Sequence, residues 1–183
     1  MEAIRSVYYL PGRGGSLQSG LGAALAQRDY EVTGRETTGA FQKLLFSEQV
    51  AVIAQDLQES WDHDARIVAN SFGAYLFLHA QAMLPPFPGK VLLLSPVVGG
   101  VVSQGNGPRF SPPFANRLLE LAEAGQLTGP LRCEAHVGDR DWQCPFERVS
   151  RLGRLMNVPV HKVAGAGHLL PINYVATVLD RWL

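Results

Sequence analysis

Three side chains that could together perform nucleophilic catalysis lie far apart in the sequence, each in a loop rich in small or polar residues. Ser71 lies in A-N-S-F-G, Asp141 in V-G-D-R-D-W, and His168 in A-G-A-G-H. A serine becomes a nucleophile when a histidine takes its proton, and a carboxylate can then orient the imidazole and stabilise its positive form. The chain order serine, aspartate, histidine is one of the orders in which such triads occur. We therefore predict a catalytic triad of Ser71, Asp141 and His168.

The serine segment differs by one residue from the G-x-S-x-G nucleophile elbow. Ala69 replaces the first glycine, and Gly73 keeps the second. The elbow is a tight turn from a strand into a helix, so it requires small residues on both sides of the serine. At the start of that helix, the dipole and the free amide of Phe72 can stabilise negative charge. A serine that only caps the helix is the alternative interpretation.

A second glycine-rich loop, L-P-G-R-G-G-S at residues 10–16, follows the first predicted strand. It lacks the G-K-[ST] of a phosphate-binding loop, and Leu17 stands where a dinucleotide-binding fingerprint requires glycine. We therefore expect an oxyanion loop, in which the backbone amides of Arg13 and Phe72 donate to the substrate oxygen that gains charge. A plain glycine turn is the alternative.

Two aspartates, Asp139 and Asp141, follow the same predicted strand. Asp141 lies further along the loop and can turn across the top of the sheet, so we expect it to orient the histidine, whereas Asp139 stabilises the turn. Of the five histidines, only His168 lies in a loop directly after the last strand. Cys144 is a further candidate as a reactive thiol, although no base lies beside it in the sequence.

The elements that must position these loops alternate between short apolar runs and amphipathic stretches. Strands are predicted at 5–10, 30–33, 66–69, 90–95, 131–137 and 158–163. Helices are predicted from a cap at Ser16 through Leu25, and at 41–57, 72–84, 114–125, 145–156 and 171–183. This alternation predicts an α/β protein with three layers, a mostly parallel sheet of about six strands with helices on both faces. Residues 1–183 are predicted to form a single domain, from which residues 96–130 make an excursion.

The composition excludes several classes of function. Lys+Arg and Asp+Glu both number 16, so the formal net charge is zero and we expect no nucleic-acid partner. No apolar stretch approaches the ~20 residues that cross a bilayer, and the first residues lack a secretory signal, so we expect a soluble, cytoplasmic protein. We expect both cysteines, Cys133 and Cys144, to be free thiols. The sequence does not indicate the oligomeric state.

The four loops resemble those of the α/β-hydrolase family. P-G-R-G-G-S resembles that family's H-G-x-G-G oxyanion loop, with Pro11 in place of its histidine, and A-N-S-F-G resembles its elbow, with the departure at Ala69. G-D-R-D resembles its G-x-x-D acid loop, which favours Asp141, and G-A-G-H resembles its terminal histidine loop. The resemblance covers nearly the whole chain and implies a minimal, single-domain version of the family's fold.

The resemblance also implies a function. It indicates a serine hydrolase, needing no metal or other cofactor, that cleaves a small-molecule ester or thioester through an acyl-enzyme, with residues 96–130 as a short lid. Arg13 and Arg109 are candidates to bind an anionic substrate group, and Leu118 is a candidate to cover an acyl pocket. Solvated arginines and a leucine that packs its helix onto the sheet are the alternatives. Acyl transfer, and a binding or regulatory module without turnover, are the competing functions.

Overall fold

The computed structural model describes residues 5–102, 107 and 109–183. In these parts of the chain the strands are β1 (Ser6–Leu10), β2 (Glu31–Gly34), β3 (Arg66–Asn70), β4 (Lys90–Leu94), β5 (Val101–Val102), β6 (Arg109–Phe110), β7 (Arg132–Gly138) and β8 (Val160–Val163). Six of them form one sheet in the order β2-β1-β3-β4-β7-β8, and every neighbouring pair is parallel. Strands β5 and β6 form a separate antiparallel pair.

The helices of the described residues are α1 (Leu21–Ala26), α2 (Gly39–Lys43), α3 (Phe46–Glu59), α4 (Phe72–Gln81), α5 (Arg117–Glu123), α6 (Phe146–Met156) and α7 (Ile172–Trp182). They cover both faces of the sheet. One buried cluster joins the strands to α3, α4, α5 and α6, and a second joins them to α1 and α7. The predicted three-layer α/β architecture is therefore confirmed.

Strands β3 and β4 lie at the centre of the sheet. The nearly continuous apolar run of residues 90–95 predicts this position for β4. Successive side chains of a strand point to opposite faces. In β4, Val91 and Leu93 pack into the cluster with α4, whereas Leu92 and Leu94 pack into the cluster with α7. None of these four side chains is more than 3% exposed. A strand buried on both faces needs apolar residues at every position, which is typical of parallel sheets covered by helices.

The predicted cap at Ser16 is wrong. Helix α1 begins at Leu21, after Gly20, and not directly after Ser16. The Ser16 hydroxyl instead donates to Glu36 (2.8 Å), which also accepts the backbone N–H of Leu17 (3.1 Å). Residues 17–19 form bends instead of a helical turn, so the helix starts later than a serine cap would place it.

The single helix predicted through residues 41–57 is in fact two helices, α2 and α3. Leu44 and Leu45 between them have extended backbone, with ψ angles of 152° and 150°. The carboxylate of Glu48 accepts the backbone N–H of Leu45 (2.8 Å) and so satisfies an unpaired donor at the start of α3. Apolar spacing continues across the break, and for that reason the periodicity alone did not reveal it.

The strand order creates a crevice at the carboxyl ends of the sheet. Strand β1 lies between β2 and β3, so the chain leaves β1 toward one edge of the sheet and leaves β3 toward the other. Loops that diverge in this way open a crevice where ligands bind in α/β proteins. The glycine-rich loop follows β1 and Ser71 follows β3, so both lie at this crevice, and the loops after β7 and β8 carry Asp141 and His168.

The excursion between β4 and β7 contains the β5–β6 pair and α5. Its attachment to the rest of the fold includes the hydroxyl of Tyr75 on α4, which donates to the carbonyl oxygens of Pro113 (2.7 Å) and Phe114 (3.0 Å). That the excursion acts as a lid stays a prediction, and residues 103–106 and 108 lie outside the described residues. Among the helices described, none combines the length and the apolar character that crossing a membrane requires.

Candidate active site

The side chains of Ser71, His168 and Asp141 meet at the carboxyl ends of the parallel strands. Oγ of Ser71 lies 2.8 Å from Nε2 of His168, and Nδ1 of the same ring lies 2.9 Å from Oδ2 of Asp141. Both distances are those of hydrogen bonds. With its proton on Nδ1, the ring donates to the carboxylate and presents an unprotonated Nε2 to the hydroxyl. The arrangement can therefore remove the serine proton.

Ser71 holds an unusual backbone conformation at the junction of β3 and α4. Its φ and ψ angles are 52° and −116°. Residues other than glycine avoid this backbone conformation, which costs them about 1–3 kcal/mol. Neighbouring backbone holds it there, because the N–H of Ser71 donates to Leu94 (2.9 Å) and its carbonyl accepts from Val97 (3.2 Å). The turn projects the hydroxyl into the crevice, as the elbow motif predicts.

The small residues around Ser71 have a steric cause. A Cβ atom added at Gly73 would overlap the carbonyl oxygens of Leu10 and Pro11, so this position admits only glycine without a backbone shift. Ala69 lies in β3 and is fully buried in the core, where its single methyl group fits. The alanine that departs from the motif is thus compatible with the turn.

The loop after β1 packs directly against the serine. A Cβ atom built on Gly12 would lie 3.3 Å from Cβ of Ser71, so the backbone of this loop is in contact with the nucleophile. Thr37 fixes the loop, since its carbonyl accepts the N–H of Gly14 (3.1 Å) and its hydroxyl accepts the N–H of Gly15 (3.0 Å) and donates to Gly12. The loop is therefore held in one shape beside the hydroxyl.

The two segments that carry the predicted oxyanion donors are linked by a side-chain contact. The guanidinium of Arg13 lies 4.6 Å from the centre of the Phe72 ring, a cation–π distance. Arg13 follows Gly12, whose backbone contacts Ser71, and Phe72 follows Ser71 itself. Their use as an oxyanion hole stays a prediction.

The two aspartates differ in burial and in the groups that they contact. Asp141 is buried, and its second oxygen, Oδ1, accepts the backbone N–H groups of Gln143 (2.9 Å) and Cys144 (3.0 Å). Asp139 is exposed and accepts the N–H of Gly165 (2.8 Å), which ties the acid loop to the histidine loop. The carboxylate that contacts the imidazole is therefore that of Asp141, and its orientation is fixed by backbone donors.

Ser95, which the sequence analysis does not name, and Cys144, which it names only as a candidate reactive thiol, both contact His168. The hydroxyl of Ser95 donates to the backbone carbonyl of His168 (2.7 Å). The thiol of Cys144 donates to the carbonyl of Ser95 (3.1 Å), and its sulfur lies 3.7 Å from Nδ1 of His168. Burial, and next the nearby Asp141 carboxylate, raise the pKa of the Cys144 thiol, which therefore stays protonated and packs behind the imidazole.

The signal that could have identified Ser95 is its position directly after the central strand β4, at the edge of the sheet where the triad lies. The sequence indicates Cys144 only as a thiol near the acid loop and does not indicate its contact with His168. The cysteine lies three residues after Asp141, and only the fold brings its sulfur behind the histidine ring.

A cavity of about 260 Å³ lies beside the elbow. Its lining is mixed: the apolar residues are Phe41, Leu44, Phe46, Phe72 and Pro113, and the polar residues are Arg13, Thr37, Gln42 and Gln49. The candidate substrate residue Arg13 therefore lines this cavity, with its charge against the Phe72 ring.

The other two candidate substrate residues are not brought to this cavity. Leu118 is fully buried in the core cluster, where α5 contacts α6, so its predicted cover over an acyl pocket is wrong. Arg109 is exposed on β6 and is not among the residues that line the cavity. An amphipathic pattern predicts a buried face but does not say what that face contacts.

Two groups of side chains within the described residues place possible metal ligands within 4.8 Å of one another. One consists of Asp141, Cys144 and His168, whose ligand atoms are already engaged in the hydrogen bonds of the triad. The other consists of Glu134, His136 and His161, on β7 and β8. The two cysteines are free thiols, as expected.

Solved structures with a similar fold cover nearly the whole chain. The ydeN gene product from B. subtilis is 13% identical, with a TM-score of 0.66 over 97% of this chain and 98% of that chain. A monoacylglycerol lipase from Paleococcus ferrophilus is 15% identical, with a TM-score of 0.67 over 97% and 93%. Esterase PE8 is 16% identical, with a TM-score of 0.63 over 99% and 94%. No protein-family model matches the sequence, and no curated protein is significantly similar to it. At these identities the similarity establishes a shared fold.

Proposed function

We propose that this chain, which has the α/β-hydrolase fold, is a serine hydrolase that cleaves a small carboxylic ester or thioester through an acyl-enzyme. The observation that carries the proposal is the continuous line of hydrogen bonds from Ser71 through His168 to Asp141. A structural serine needs neither an imidazole at its hydroxyl nor a buried carboxylate behind that imidazole. Hydrolysis by a Ser-His-Asp triad uses both the imidazole and the carboxylate.

The reaction follows from the positions of these groups. Nε2 of His168 takes the proton of Ser71 as Oγ attacks the carbonyl carbon, and the amides of Arg13 and Phe72 stabilise the oxyanion of the tetrahedral intermediate. The imidazolium then gives that proton to the leaving alkoxide or thiolate, which leaves an acyl-enzyme. Water, deprotonated by the same nitrogen, releases the acid and restores the serine. Asp141 stabilises the imidazolium in both steps.

Two further observations support an ester substrate of small size. Esterase PE8 and the monoacylglycerol lipase, by their names, act on esters and share this fold. The cavity of about 260 Å³ lies below the range of about 300–1,000 Å³ that is usual for drug-sized ligands, which favours a short acyl group. We retain a cytoplasmic location as a prediction.

The experiment is covalent labelling with a fluorophosphonate probe, combined with turnover of p-nitrophenyl esters of graded acyl length. We expect the wild type to be labelled and the Ser71→Ala variant to be neither labelled nor active. Ser47→Ala, at an exposed serine on α3, is the matched control and should react like the wild type. Equal labelling of wild type and Ser71→Ala would refute the proposal.

Acyl transfer uses the same acyl-enzyme, so the product distinguishes it from hydrolysis. Water should compete against added alcohol and thiol acceptors during turnover of a thioester, and free acid is the product that we expect. Predominant transfer to the acceptor would reassign the reaction without changing the roles of the triad. Labelling in the absence of any turnover would instead favour a binding module.

A further inference from the structure

Three possible metal ligands lie together on the side of β7 and β8 that faces α7. Glu134 and His136 are two residues apart on β7 and therefore point to the same face, and His161 lies beside His136 in the register of the two strands. Nε2 of His136 lies 2.9 Å from Oε1 of Glu134, and Nε2 of His161 lies 3.6 Å from Oε2. The two imidazole rings stack with their centres 4.7 Å apart.

We propose that Glu134, His136 and His161 bind a divalent transition-metal ion, with Zn²⁺ as the ion that fits best. Two imidazole nitrogens and one carboxylate oxygen are a ligand set that zinc takes in proteins. Tetrahedral zinc with bonds of about 2.0–2.2 Å requires ligand atoms about 3.3–3.5 Å apart. The two measured separations lie on either side of that range but involve different oxygens of Glu134. All the ligand atoms lie within 4.8 Å of one another, so side-chain rotation must bring one oxygen and both nitrogens to the spacing that the ion requires.

The surroundings of His136 suit a metal ligand. Its Nδ1 lies 2.7 Å from the hydroxyl of Tyr174 on α7. A hydroxyl can accept the Nδ1–H bond, which leaves the lone pair of Nε2 directed toward Glu134 for a metal ion. Histidine ligands are almost always oriented by such a partner on the other ring nitrogen.

The site has a path to solvent. The side chain of His161 is 44% exposed, whereas Glu134 and His136 are almost fully buried. An ion can therefore enter past His161, and a water molecule can take the fourth position on that side. Three protein ligands and one water complete the tetrahedral coordination of zinc.

Arg181 is the group that opposes binding. Its guanidinium contacts Oε1 of Glu134, so it occupies one of the ligand atoms and adds a positive charge. The side chain is 55% exposed and can turn toward solvent when an ion arrives. If the cluster is only a network of ion pairs, Arg181→Gln removes a partner of Glu134 and weakens the network. If the cluster is a metal site, the same substitution removes a competing charge and strengthens binding of the ion.

The test is calorimetric titration of the intact protein with Zn²⁺, with Co²⁺ as a spectroscopic substitute. We expect the wild type to bind one ion per chain and His161→Ala to bind more weakly by over tenfold, since loss of even a partner behind a ligand costs about 10- to 100-fold. Arg181→Gln should bind roughly fivefold more tightly, because one competing charge is removed. His63→Ala, at an exposed histidine elsewhere, should bind like the wild type.

Several results would overturn the proposal. One is that the wild type shows no saturable binding of the ion up to roughly 1 mM, a concentration at which even a weak site would be half occupied. Another is equal affinity of the wild type and His161→Ala, with circular dichroism showing that both are folded. A sulfur-to-cobalt charge-transfer band that disappears in Cys144→Ala would assign the ion to the triad instead. Because the labelling of Ser71 does not depend on this cluster, failure here is distinguishable from failure of the proposed hydrolase function.

Discussion

Replacing Asp141 by asparagine tests the arrangement of the triad most directly. Oδ1 of Asp141 accepts two backbone N–H groups, from Gln143 (2.9 Å) and Cys144 (3.0 Å). In Asp141→Asn the amide oxygen must take this position, since an amide nitrogen there would face two donors. The amide nitrogen then faces Nδ1 of His168 and donates to it. The ring proton is thereby moved to Nε2, where it prevents the imidazole from accepting the proton of Ser71.

The size of the effect follows from these contacts. Leaving even one buried N–H without an acceptor costs about 1–3 kcal/mol, so two such donors hold the new amide oxygen firmly in place. The wrong tautomer then predominates, and the carboxylate that stabilises the imidazolium is also lost. We expect kcat to fall about 10⁴-fold, which corresponds to roughly 5.5 kcal/mol in the activation free energy.

The assay is turnover of a short p-nitrophenyl ester, with ¹⁵N nuclear magnetic resonance of the His168 ring to locate its proton. Asp139→Asn is the matched control, since an amide oxygen can still accept the N–H of Gly165. As an exposed position it should change kcat by only about twofold.

Three outcomes would refute the reasoning about the acid. The first is an Asp141→Asn variant that keeps more than roughly a tenth of wild-type kcat, since the expected loss is about a thousandfold larger. The second is a comparable loss in Asp139→Asn, which would transfer the role to Asp139. The third is a resonance spectrum in which the proton of Asp141→Asn remains on Nδ1 of His168.

Two further predictions concern stability. Burial lowers the pKa of His79 to about 4, so the unfolded chain, with an ordinary pKa of about 6.5, takes up this proton first. The free energy of unfolding should therefore fall by roughly 2–3 kcal/mol as the pH drops from 6.5 to about 4. Denaturant unfolding should show this loss in the wild type and a smaller loss in His79→Phe. Gly73→Ala should destabilise the fold by roughly 1–3 kcal/mol or more because its methyl group overlaps the carbonyls of Leu10 and Pro11, whereas Gly167→Ala has open space and should cost far less.

Either stability prediction can fail clearly. Equal acid sensitivity of the wild type and His79→Phe would mean that other groups cause the loss. A Gly73→Ala variant with wild-type stability and full labelling would show that the elbow tolerates a backbone shift.

The sequence predicts the sheet well because strands that are buried on both faces need runs of apolar residues, which can be recognised in the sequence. Strands β3 and β4 begin at the predicted residues, Arg66 and Lys90, and each ends within one residue of the predicted position. Ser71, Asp141 and His168 could be proposed as site residues because each lies in the segment that follows a strand, and parallel strands bring their carboxyl ends to one edge. Local patterns thus carry the position of the site as well as that of the elements.

The remaining features depend on contacts between distant segments. The bond from Ser95 to the carbonyl of His168 joins residues 73 apart in the chain, and neither local sequence indicates it. Cys144 is placed behind the imidazole by the course of the acid loop. Leu118 has the spacing of an apolar face, which is the same whether the face covers a ligand or the sheet. The spacing of apolar residues indicates that a helix face is buried but does not identify what the face packs against.

The backbone at Ser71 has a consequence for how this protein would respond to selection. Glycine adopts a φ of 52° without the penalty that serine bears, so Ser71→Gly would relieve the turn while abolishing the hydroxyl. Catalytic reactivity and thermal stability therefore favour different residues at position 71. A library enriched only for thermal robustness would drift toward inert variants there, and any such engineering needs a simultaneous screen for turnover.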